Sequence, residues 1–447
     1  MIENIKGYSY NDLTIVPSVI SKISSRSQCC CWESEDFLPI WTAPMASVVS
    51  PKNREEFENH GIHAIIPRNI PLEDRIKEMN DHNWVALSLR EFEDLFITNY
   101  KDRTSYWYGI CVDIANGHML SLYEKIEKAK QLIKENNSYL SIMTGNIANP
   151  KTYEYIVKNF NIYNQKTGKY DCLIDYIRVG IGGGSGCITT SNVSIHYPQA
   201  SLINETYKVK KKLKSETERE NAYESRGVWG NLPKIIADGG IRNYDHVIKA
   251  LALGADGVMI GSIFSQCIES SGDKTTKNIN QKLNLRFHIE RYRDFYKDDK
   301  GNWCGYYTNE FIEENSKVWK KSFNDIKTKV IAGLLSKDDA EYKLAALQYK
   351  DKINSLKEAK FIGNIDVKFF GMASADGQKS IDGEKKKTAE GITKWLPVKY
   401  TIEGWVKNME SYLQSAMSYC DCNKLSDFIG KPTLIVNSIS EIQAVNK

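Results

Sequence analysis

Short apolar runs recur along the chain as far as residue 262, and each ends in small or polar residues. Eight of them are evident: Pro39–Met45, His63–Asn69, Trp84–Leu89, Tyr108–Ala115, Tyr139–Asn146, Tyr176–Gly182, Lys234–Gly240 and Gly257–Ser262. Several are followed by helical patterns, most clearly at Leu120–Ile133 and Tyr244–Leu253, where apolar residues recur every three or four positions. Buried strands that alternate with helices are typical of parallel sheets. The pattern therefore predicts an α/β fold.

The positions of the unusual residues distinguish an open doubly wound sheet from a closed barrel. Small and polar residues stand where the predicted strands end: Met45, Asn69, Asp113, Asn146, Gly182–Cys187, Asp238–Gly240 and Gly261–Ser262. A single crevice in an open sheet draws on two or three strands, whereas the mouth of a barrel draws on most of them. No G-x-G-x-x-G follows the first strand. The sequence therefore predicts a (β/α)₈ TIM barrel.

A segment rich in Lys, Asp and Glu interrupts the alternation. We predict that residues 1–271 and 364–447 form the barrel and that 272–363 is an inserted, mostly helical subdomain. One helical stripe comprises Trp319, Phe323, Ile326, Val330 and Leu334, and a second helix carries Leu344, Leu347 and Ile353. Such stripes are typical of packing surfaces. The insertion either packs on its own barrel, covers the active site or mediates assembly.

Composition and charge exclude several classes of function. A formal net charge of +4 on 447 residues does not favour a nucleic-acid or membrane partner. The basic run 208–214 precedes three glutamates and is typical of a solvated helix face rather than a phosphate-binding tract. The sequence shows neither a leader pattern nor an apolar stretch of transmembrane length. The ten cysteines lack the spacing of a metal site or disulfide framework. We predict a cytoplasmic protein with free thiols.

The segment Val179–Thr190 (VGIGGGSGCITT) carries the strongest chemical signal. Glycine is used where the backbone takes a positive φ or approaches a ligand closely. Such a loop presents N–H donors to a phosphate and carbonyls to a monovalent cation. Cys187 lies in this loop, where neighbouring N–H groups would favour the thiolate, and Thr189 is close enough to relay a proton. The alternative is a glycine-rich turn around a buried cysteine.

A second signal lies in Ala237–Gly240 (ADGG) and Gly254–Ser262 (GADGVMIGS). The Asp238 carboxylate suits a ribose diol, because it accepts two hydroxyl hydrogen bonds. The N–H groups of Gly239, Gly240, Gly261 and Ser262 lie where the last strands of such barrels bind phosphate. The alternative is a pair of tight turns with an N-capping aspartate.

Eight motifs in order resemble the IMP dehydrogenase/GMP reductase family. Beside the three segments above, they are APM at 43–45, PRN at 67–69, DIANGH at 113–118, TGN at 144–146 and FFGMAS at 369–374. The resemblance runs from Tyr8 to about Ser271 and resumes at Lys368. It implies a purine nucleotide monophosphate as substrate, NADPH or NAD as cofactor, a bound potassium ion and a homotetramer.

The resemblance also implies a role for each matched residue. Cys187 would attack C2 of the purine, and Thr189 would assist proton transfer. Substrate residues would be Ser185, Asp238, Gly239, Gly240, Gly261, Ser262, Gly371 and Met372. Cofactor residues would be Asp113, Asn116, Gly145 and Asn146. The carbonyls of Gly182, Gly184 and Cys187 would bind potassium.

Three features favour a reductase over a dehydrogenase. The flap Gly371–Gly391 contains no Arg or Tyr, the regulatory CBS pair is missing after Asn69, and His196–Gln199 resembles the reductase loop. Two departures complicate this interpretation. Ala375 occupies the position of the reductase glutamate, so Asp376 is our candidate replacement. Phe369 replaces a phosphate-binding tyrosine, so the substrate is GMP or a related nucleotide. IMP dehydrogenase and a non-catalytic nucleotide-binding relative are the alternatives.

Overall fold

The computed structural model describes residues 6–99, 107–135, 139–184, 186–218, 229–277, 284–287, 292–331, 337, 343, 346–348, 350, 360–383 and 388–438. Contacts within the chain divide it into two units. The barrel unit comprises Met1–Gly272, Phe369–Lys394 and Ile402–Lys447. The inserted unit comprises Asp273–Lys368 and Trp395–Thr401.

Eight parallel strands form the central sheet of the barrel unit. Up to residue 260 the strands are β1 (Leu13–Val16), β2 (Ile40–Thr42), β3 (Ile65–Ile66), β4 (Trp84–Leu87), β5 (Trp107–Asp113), β6 (Tyr139–Ile147), β7 (Asn161–Asn164), β8 (Lys169–Cys172), β9 (Tyr176–Val179), β10 (Lys234–Asp238) and β11 (Gly257–Ile260). The sheet runs in the order β2-β11-β10-β9-β6-β5-β4-β3, whereas β7 and β8 form a separate hairpin. All eight predicted strands are present.

Backbone hydrogen bonds between the two edge strands close the sheet. The Thr42 N–H donates to the His63 carbonyl at 2.8 Å, and the His63 N–H donates to the Ile40 carbonyl at 2.9 Å. His63 directly precedes β3 and pairs in parallel with Trp41. The predicted TIM barrel is therefore confirmed.

The barrel interior is filled by side chains rather than left as a pore. Its buried cluster comprises Trp41, Ala43, Ile65, Ala86, Cys111, Met143, Ile236 and Met259. Because a parallel sheet in a barrel is covered on both faces, its strands carry continuous apolar runs. This explains why the sequence pattern located the strands so directly.

Helices surround the barrel in the expected alternation. They are α1 (Arg54–Glu58), α2 (Leu72–Asn80), α3 (Leu89–Glu93), α4 (Leu120–Glu135), α5 (Pro150–Asn159), α6 (Thr189–Val193), α7 (Gln199–Glu218), α8 (Tyr244–Ala252) and α9 (Ser262–Ser265). Local signals fix several starts: Ser88 caps α3, and Asn149 caps α5 before a proline at its first position. The strand ends therefore face loops that lead into helices, as the site requires.

The inserted unit differs from the mostly helical subdomain that we predicted for 272–363. It contains α10 (Asn309–Ile331) and β12 (Lys274–Lys277), β13 (Asn284–Phe287), β14 (Tyr292–Lys297), β15 (Trp303–Tyr307) and β16 (Lys360–Phe370). With β17 (Thr393–Pro397) these strands form an antiparallel sheet. The prediction missed this sheet: β12 (KTTK) carries no apolar residue, whereas the alternation of Ile365, Val367 and Phe369 in β16 was overlooked.

The predicted helical stripes of the insertion are only partly described. Helix α10 carries Trp319, Phe323, Ile326 and Val330, while Leu334 falls outside the described residues, as do Leu344 and Ile353 of the second predicted helix. The role of the insertion stays a prediction.

The C-terminal part of the chain returns to the barrel unit. It contains α11 (Ala375–Asp382), α12 (Ile402–Tyr419), α13 (Leu425–Phe428) and β18 (Thr433–Val436). Strand β18 pairs antiparallel with β1, which joins the two ends of the chain. Among the described residues, no helix combines the length and the hydropathy that a membrane span needs.

Candidate functional site

The glycine loop after β9 takes a backbone path that side chains would block. Gly180 and Gly182 have φ values of 142° and 79°. A Cβ atom at Gly180 would overlap the Asp238 carbonyl, and one at Gly182 would overlap the Thr190 hydroxyl. The loop can therefore approach the end of β10 only because these positions are glycine.

Cys187 lies on this loop and faces two other reactive groups. Its Sγ atom is 3.1 Å from the Thr189 Oγ1, which donates to the Glu390 Oε2 at 3.2 Å. Eight of the ten cysteines are buried, whereas Cys187 is half-buried and Cys30 is exposed. A half-buried thiol in hydrogen-bond contact with a hydroxyl and then a carboxylate can act as a nucleophile with a proton relay.

Backbone pairing brings Glu390 to the glycine loop. The Ile188 N–H donates to the Glu390 carbonyl at 3.0 Å, and the Ile392 N–H donates to the Gly186 carbonyl at 2.9 Å. These two bonds flank an antiparallel bridge between Cys187 and Gly391. The flap therefore holds its carboxylate against Thr189, a partnership that sequence reasoning missed.

The predicted replacement, Asp376, has a different partner. Its Oδ2 accepts the Thr393 hydroxyl at 2.6 Å, within the first turn of α11. The structure therefore brings Glu390, rather than Asp376, into contact with Thr189. No local feature of the sequence marks Glu390, because its position depends on pairing between distant segments.

One cavity of about 210 Å³ collects most of the predicted substrate residues. Its lining includes Met45, Gly184, Cys187, Asp238, Gly239, Gly240, Gly261, Ser262, Phe369, Gly371, Met372 and Glu390. Cys187 and Asp238 thus open onto the same space, as one bound nucleotide would require. Ser185, the remaining predicted phosphate ligand, lies outside the described residues.

Asp238 belongs to a buried charge network that the sequence analysis did not identify. Arg178, on β9, contacts the Asp238 Oδ2 through its Nε at 2.9 Å and its Nη2 at 2.8 Å. Its Nη1 contacts the Asp113 Oδ1 at 2.8 Å. Burial opposes the charge of Arg178, but the two carboxylates outweigh it and raise its pKa well above the usual value. The signal was present: Arg178 is the one charged residue in an apolar strand.

The predicted cofactor residues surround this network. Asn146 donates from its Nδ2 to the Asp238 Oδ2 and to the Gly180 carbonyl, both at 2.7 Å. The Gly117 N–H donates to the Asn146 carbonyl at 2.9 Å. Asn116 accepts the His118 N–H at 3.1 Å, which shapes the loop after β5. The cofactor-side residues therefore meet at the ends of β5 and β6.

His118 completes this side of the site. Its Nε2 accepts the Ala148 N–H at 3.1 Å, so its Nδ1 carries the proton and faces the Thr152 hydroxyl at 3.0 Å. Burial lowers its pKa. A neutral imidazole thus fixes the loop that carries Asn116.

The predicted potassium ligands are compatible with a cation. The Gly182 carbonyl accepts the Thr190 hydroxyl, and the Gly184 carbonyl accepts the Cys187 N–H, each at 3.1 Å. Each carbonyl oxygen retains a second lone pair. In the part of the chain that the structure describes, no group of three or more His, Cys, Asp or Glu side chains is suited to a metal.

Comparison with known proteins agrees with the motifs. Residues 108–286 match the IMP dehydrogenase / GMP reductase domain. A GMP reductase of Helicobacter pylori is 24% identical over 336 residues, which cover 73% of this chain and 88% of that protein. A GMP reductase of Streptococcus pyogenes is 27% identical over 281 residues, which cover 61% of this chain and 74% of that protein. The motifs, this domain match and these relatives together support the IMP dehydrogenase/GMP reductase family, whose members bind purine nucleotide monophosphates.

Proposed function

We propose that this protein is a GMP-reductase-like enzyme that removes the 2-amino group of GMP, or of a related purine nucleotide, at the expense of NADPH. The observation that carries the proposal is the chain of contacts from Cys187 through Thr189 to Glu390, beside the cavity that Asp238 also lines. A nucleophile, a relay and an acid are the groups that such a reaction needs.

Each step of the proposed reaction uses one of these residues. The Cys187 thiol passes its proton through the Thr189 hydroxyl to the Glu390 carboxylate, and its sulfur attacks C2 of the purine to form a C–S bond. The C2–N bond then breaks, and the departing amine takes that proton back from Glu390 through Thr189. NADPH, when bound, would supply a hydride to C2. The C–S bond breaks last, which returns the electron pair to sulfur. The sulfur takes a proton from solvent, and IMP, NADP⁺ and ammonia are released.

The base end of the cavity suits guanine. Guanine presents N1–H and an amino group as neighbouring donors, and a carboxylate accepts two such donors. Glu390 lines the cavity near Cys187 and offers that carboxylate. Met372 would lie against the base, with Gly371 beside it. This match favours an amino-bearing purine over hypoxanthine.

The opposite end would hold the ribose phosphate. Asp238 would bind the ribose hydroxyls, and the phosphate would lie among Ser185, Gly239, Gly240, Gly261 and Ser262. Phe369 lines this cavity where the family has a tyrosine hydroxyl. One lost hydrogen bond to a charged group weakens binding by about 1.5–3 kcal/mol. Nucleotide selection is therefore retuned rather than abolished.

The principal alternative is an IMP dehydrogenase. Such an enzyme hydrolyses its thioimidate with a base on the flap, for which the family uses Arg and Tyr. The flap Gly371–Gly391 contains neither residue. The relatives described above are also GMP reductases by name. Both observations favour the reductase.

The test is a screen of GMP, dGMP, IMP and XMP with oxidised and reduced nicotinamide cofactors. We expect absorbance at 340 nm to fall with GMP or dGMP and NADPH, with one ammonia released per cofactor oxidised. A rise in absorbance with IMP and NAD⁺ would instead identify a dehydrogenase. Nucleotide binding without turnover in any combination would identify a non-catalytic relative.

Potassium and assembly extend the proposal. The carbonyls of Gly182, Gly184 and Cys187 would hold the ion, and the protein would be a homotetramer, as the resemblance implies. Replacing K⁺ by Li⁺ is expected to lower activity, and sedimentation velocity should give the mass of four chains.

A further inference from the structure

We propose that Arg178 is a positioning residue that couples nucleotide binding at Asp238 to cofactor binding at Asp113. This inference rests on the proposed function, because it takes those two carboxylates as the nucleotide and cofactor contacts. One guanidinium bridges both of them, with contacts of 2.8 Å on each side.

Each carboxylate depends on Arg178 for its orientation. The Asp238 Oδ2 accepts hydrogen bonds from the Arg178 Nε and the Asn146 Nδ2, and it lies 2.8 Å from the Arg178 Nη2. Its Oδ1 has no hydrogen-bond partner in the described part of the chain, although the carboxylate lines the cavity. A ribose hydroxyl that donates to Oδ1 would therefore bind an oxygen whose position these three contacts determine.

Asp113 is held by the same side chain from the other direction. Its Oδ1 meets the Arg178 Nη1 at 2.8 Å, while Arg68 lies 3.7 Å from its Oδ2 and donates to its main-chain carbonyl at 2.8 Å. The closer contact to the carboxylate thus comes from Arg178. A shift of the guanidinium toward one aspartate would lengthen its contact with the other.

Burial strengthens the contacts of this bridge. The side chains of Arg178, Asp113 and Asp238 are 9%, 17% and 14% exposed. Charge-assisted hydrogen bonds strengthen in such surroundings, and groups in one network contribute non-additively. A nucleotide that fixes Asp238 would therefore also fix Arg178 and Asp113, which lowers the ordering cost of cofactor binding. The expected coupling is positive.

The guanidinium fork is the element on which the coupling depends. Lysine has one ammonium group and cannot reproduce three directed contacts to two carboxylates. Arg178→Lys would therefore keep the charge and lose the bridge. A loss of coupling in this variant would therefore be due to the lost bridge rather than to a lost charge.

The test measures binding rather than turnover, with GMP and NADP⁺ as ligands. This pair is inert, because NADP⁺ carries no hydride to donate and C2 of GMP carries no hydrogen to give. Calorimetry would yield the Kd of GMP without and with saturating NADP⁺. We expect NADP⁺ to tighten GMP binding about 5- to 50-fold, the usual range for coupled sites, with the same factor in the reciprocal titration.

Arg178→Lys is expected to bring this factor close to one. Arg75→Lys is the matched control, because Arg75 is also buried and ion-paired, with Glu91 at 2.5 Å. It should lower the melting temperature while leaving the coupling unchanged. Millimolar guanidinium added to Arg178→Ala should restore part of the coupling.

Several outcomes would overturn the proposal. Independent binding of GMP and NADP⁺ to the unmodified protein would do so without any variant, even if Arg178→Lys failed to fold. Unchanged coupling in folded Arg178→Lys would do the same. If the unmodified protein bound no GMP, the proposed function itself would fall, so the two failures are distinguishable.

Discussion

The two ends of the barrel are closed in different ways. At the floor, where the strands begin, the rings of Trp41, Trp84 and Tyr176 meet edge to face with centroids 5.0–5.6 Å apart. At the mouth, where the strands end, the corresponding space holds the network of Arg178 and the glycine loop. Aromatic rings meet at the floor, whereas an arginine network and main chain meet at the mouth.

Charged groups are present at both ends but differ in their partners. At the floor, Asp175 accepts from Lys130, from the Tyr139 hydroxyl and from the Ile142 N–H, so both of its oxygens are used. Glu33 pairs with Lys234 in the same region. At the mouth, Asp238 and Cys187 line a cavity.

The difference shows where stability and chemistry reside. At the floor the Asp175 carboxylate is already paired, and the aromatic rings contribute buried area. A mouth that leaves an acceptor and a thiol facing a cavity can bind and react. Substitutions at the two ends should therefore separate stability from turnover.

Removing the nucleophile should give the largest effect. Cys187→Ala is expected to lower kcat by at least about 10³-fold, because no covalent intermediate can form. The melting temperature should stay within a few degrees of the unmodified protein. Cofactor oxidation at 340 nm measures turnover, and Cys30→Ala, which alters an exposed thiol, is the control. Equal kcat values for Cys187→Ala and the unmodified protein would show that Cys187 is not the nucleophile.

Removing a buried ring from the floor should lower stability and leave turnover nearly unchanged. Trp41 is 1% exposed, so Trp41→Ala should lower the free energy of unfolding by about 3–5 kcal/mol. Turnover by the folded fraction should change little. Urea unfolding followed by circular dichroism measures the loss. Trp395→Ala, at a side chain 48% exposed, should cost less than about 0.5 kcal/mol.

The two flap carboxylates should differ in their effect on kcat. Glu390→Gln removes the proton donor of the relay and is expected to lower kcat by about 10²-fold. Asp376→Asn retains a hydrogen-bond acceptor for Thr393 and should change kcat by less than about threefold, because it lies outside the relay. A larger loss for Asp376→Asn than for Glu390→Gln would return the acid role to Asp376.

A pH effect on stability should be the smallest. His246, at the mouth, contacts the Gly240 carbonyl at 2.9 Å and the Asn11 side chain at 2.7 Å. Burial lowers its pKa below the ordinary 6.5. The unfolded chain therefore binds more protons than the folded one below that pH, so stability is full above about pH 6.5 and falls on acidification.

His246→Gln should reduce this loss. The drop in melting temperature between pH 7.5 and pH 5.5 should shrink by an amount on the order of 1 °C. Differential scanning calorimetry at the two pH values measures it. An unchanged drop would show that His246 does not titrate in this interval.

Sequence patterns gave the barrel because burial on both faces leaves a direct signature in each strand. They also singled out Cys187, Asp238 and the glycines, which follow strand ends and which the structure brings to one cavity. Glu390 was not predicted, because its contact with Thr189 arises from pairing between the flap and a distant loop. Arg178 was visible as a charge within an apolar strand, but its two partners lie on other strands.

The sheet of the inserted unit was not predicted for a different reason. Strand β12 reads KTTK and β14 reads YRDFYK, so neither carries the apolar alternation that marks a half-buried strand. The helical stripe of α10 was the stronger signal in the same segment, and it biased the prediction toward helix. The sheet also depends on pairing among strands, which the sequence of a single segment does not encode.

Alkylation of Cys187 tests the central claim most directly. The protein would be treated with iodoacetamide, and modification of Cys187 and Cys30 would be followed by peptide mass spectrometry with and without GMP. We expect both thiols to react, and GMP at ten times its Kd to slow Cys187 about 10-fold by occupancy while Cys30 is unaffected. An unreactive Cys187, or one modified equally fast with and without GMP, would contradict a nucleophile that faces the bound purine.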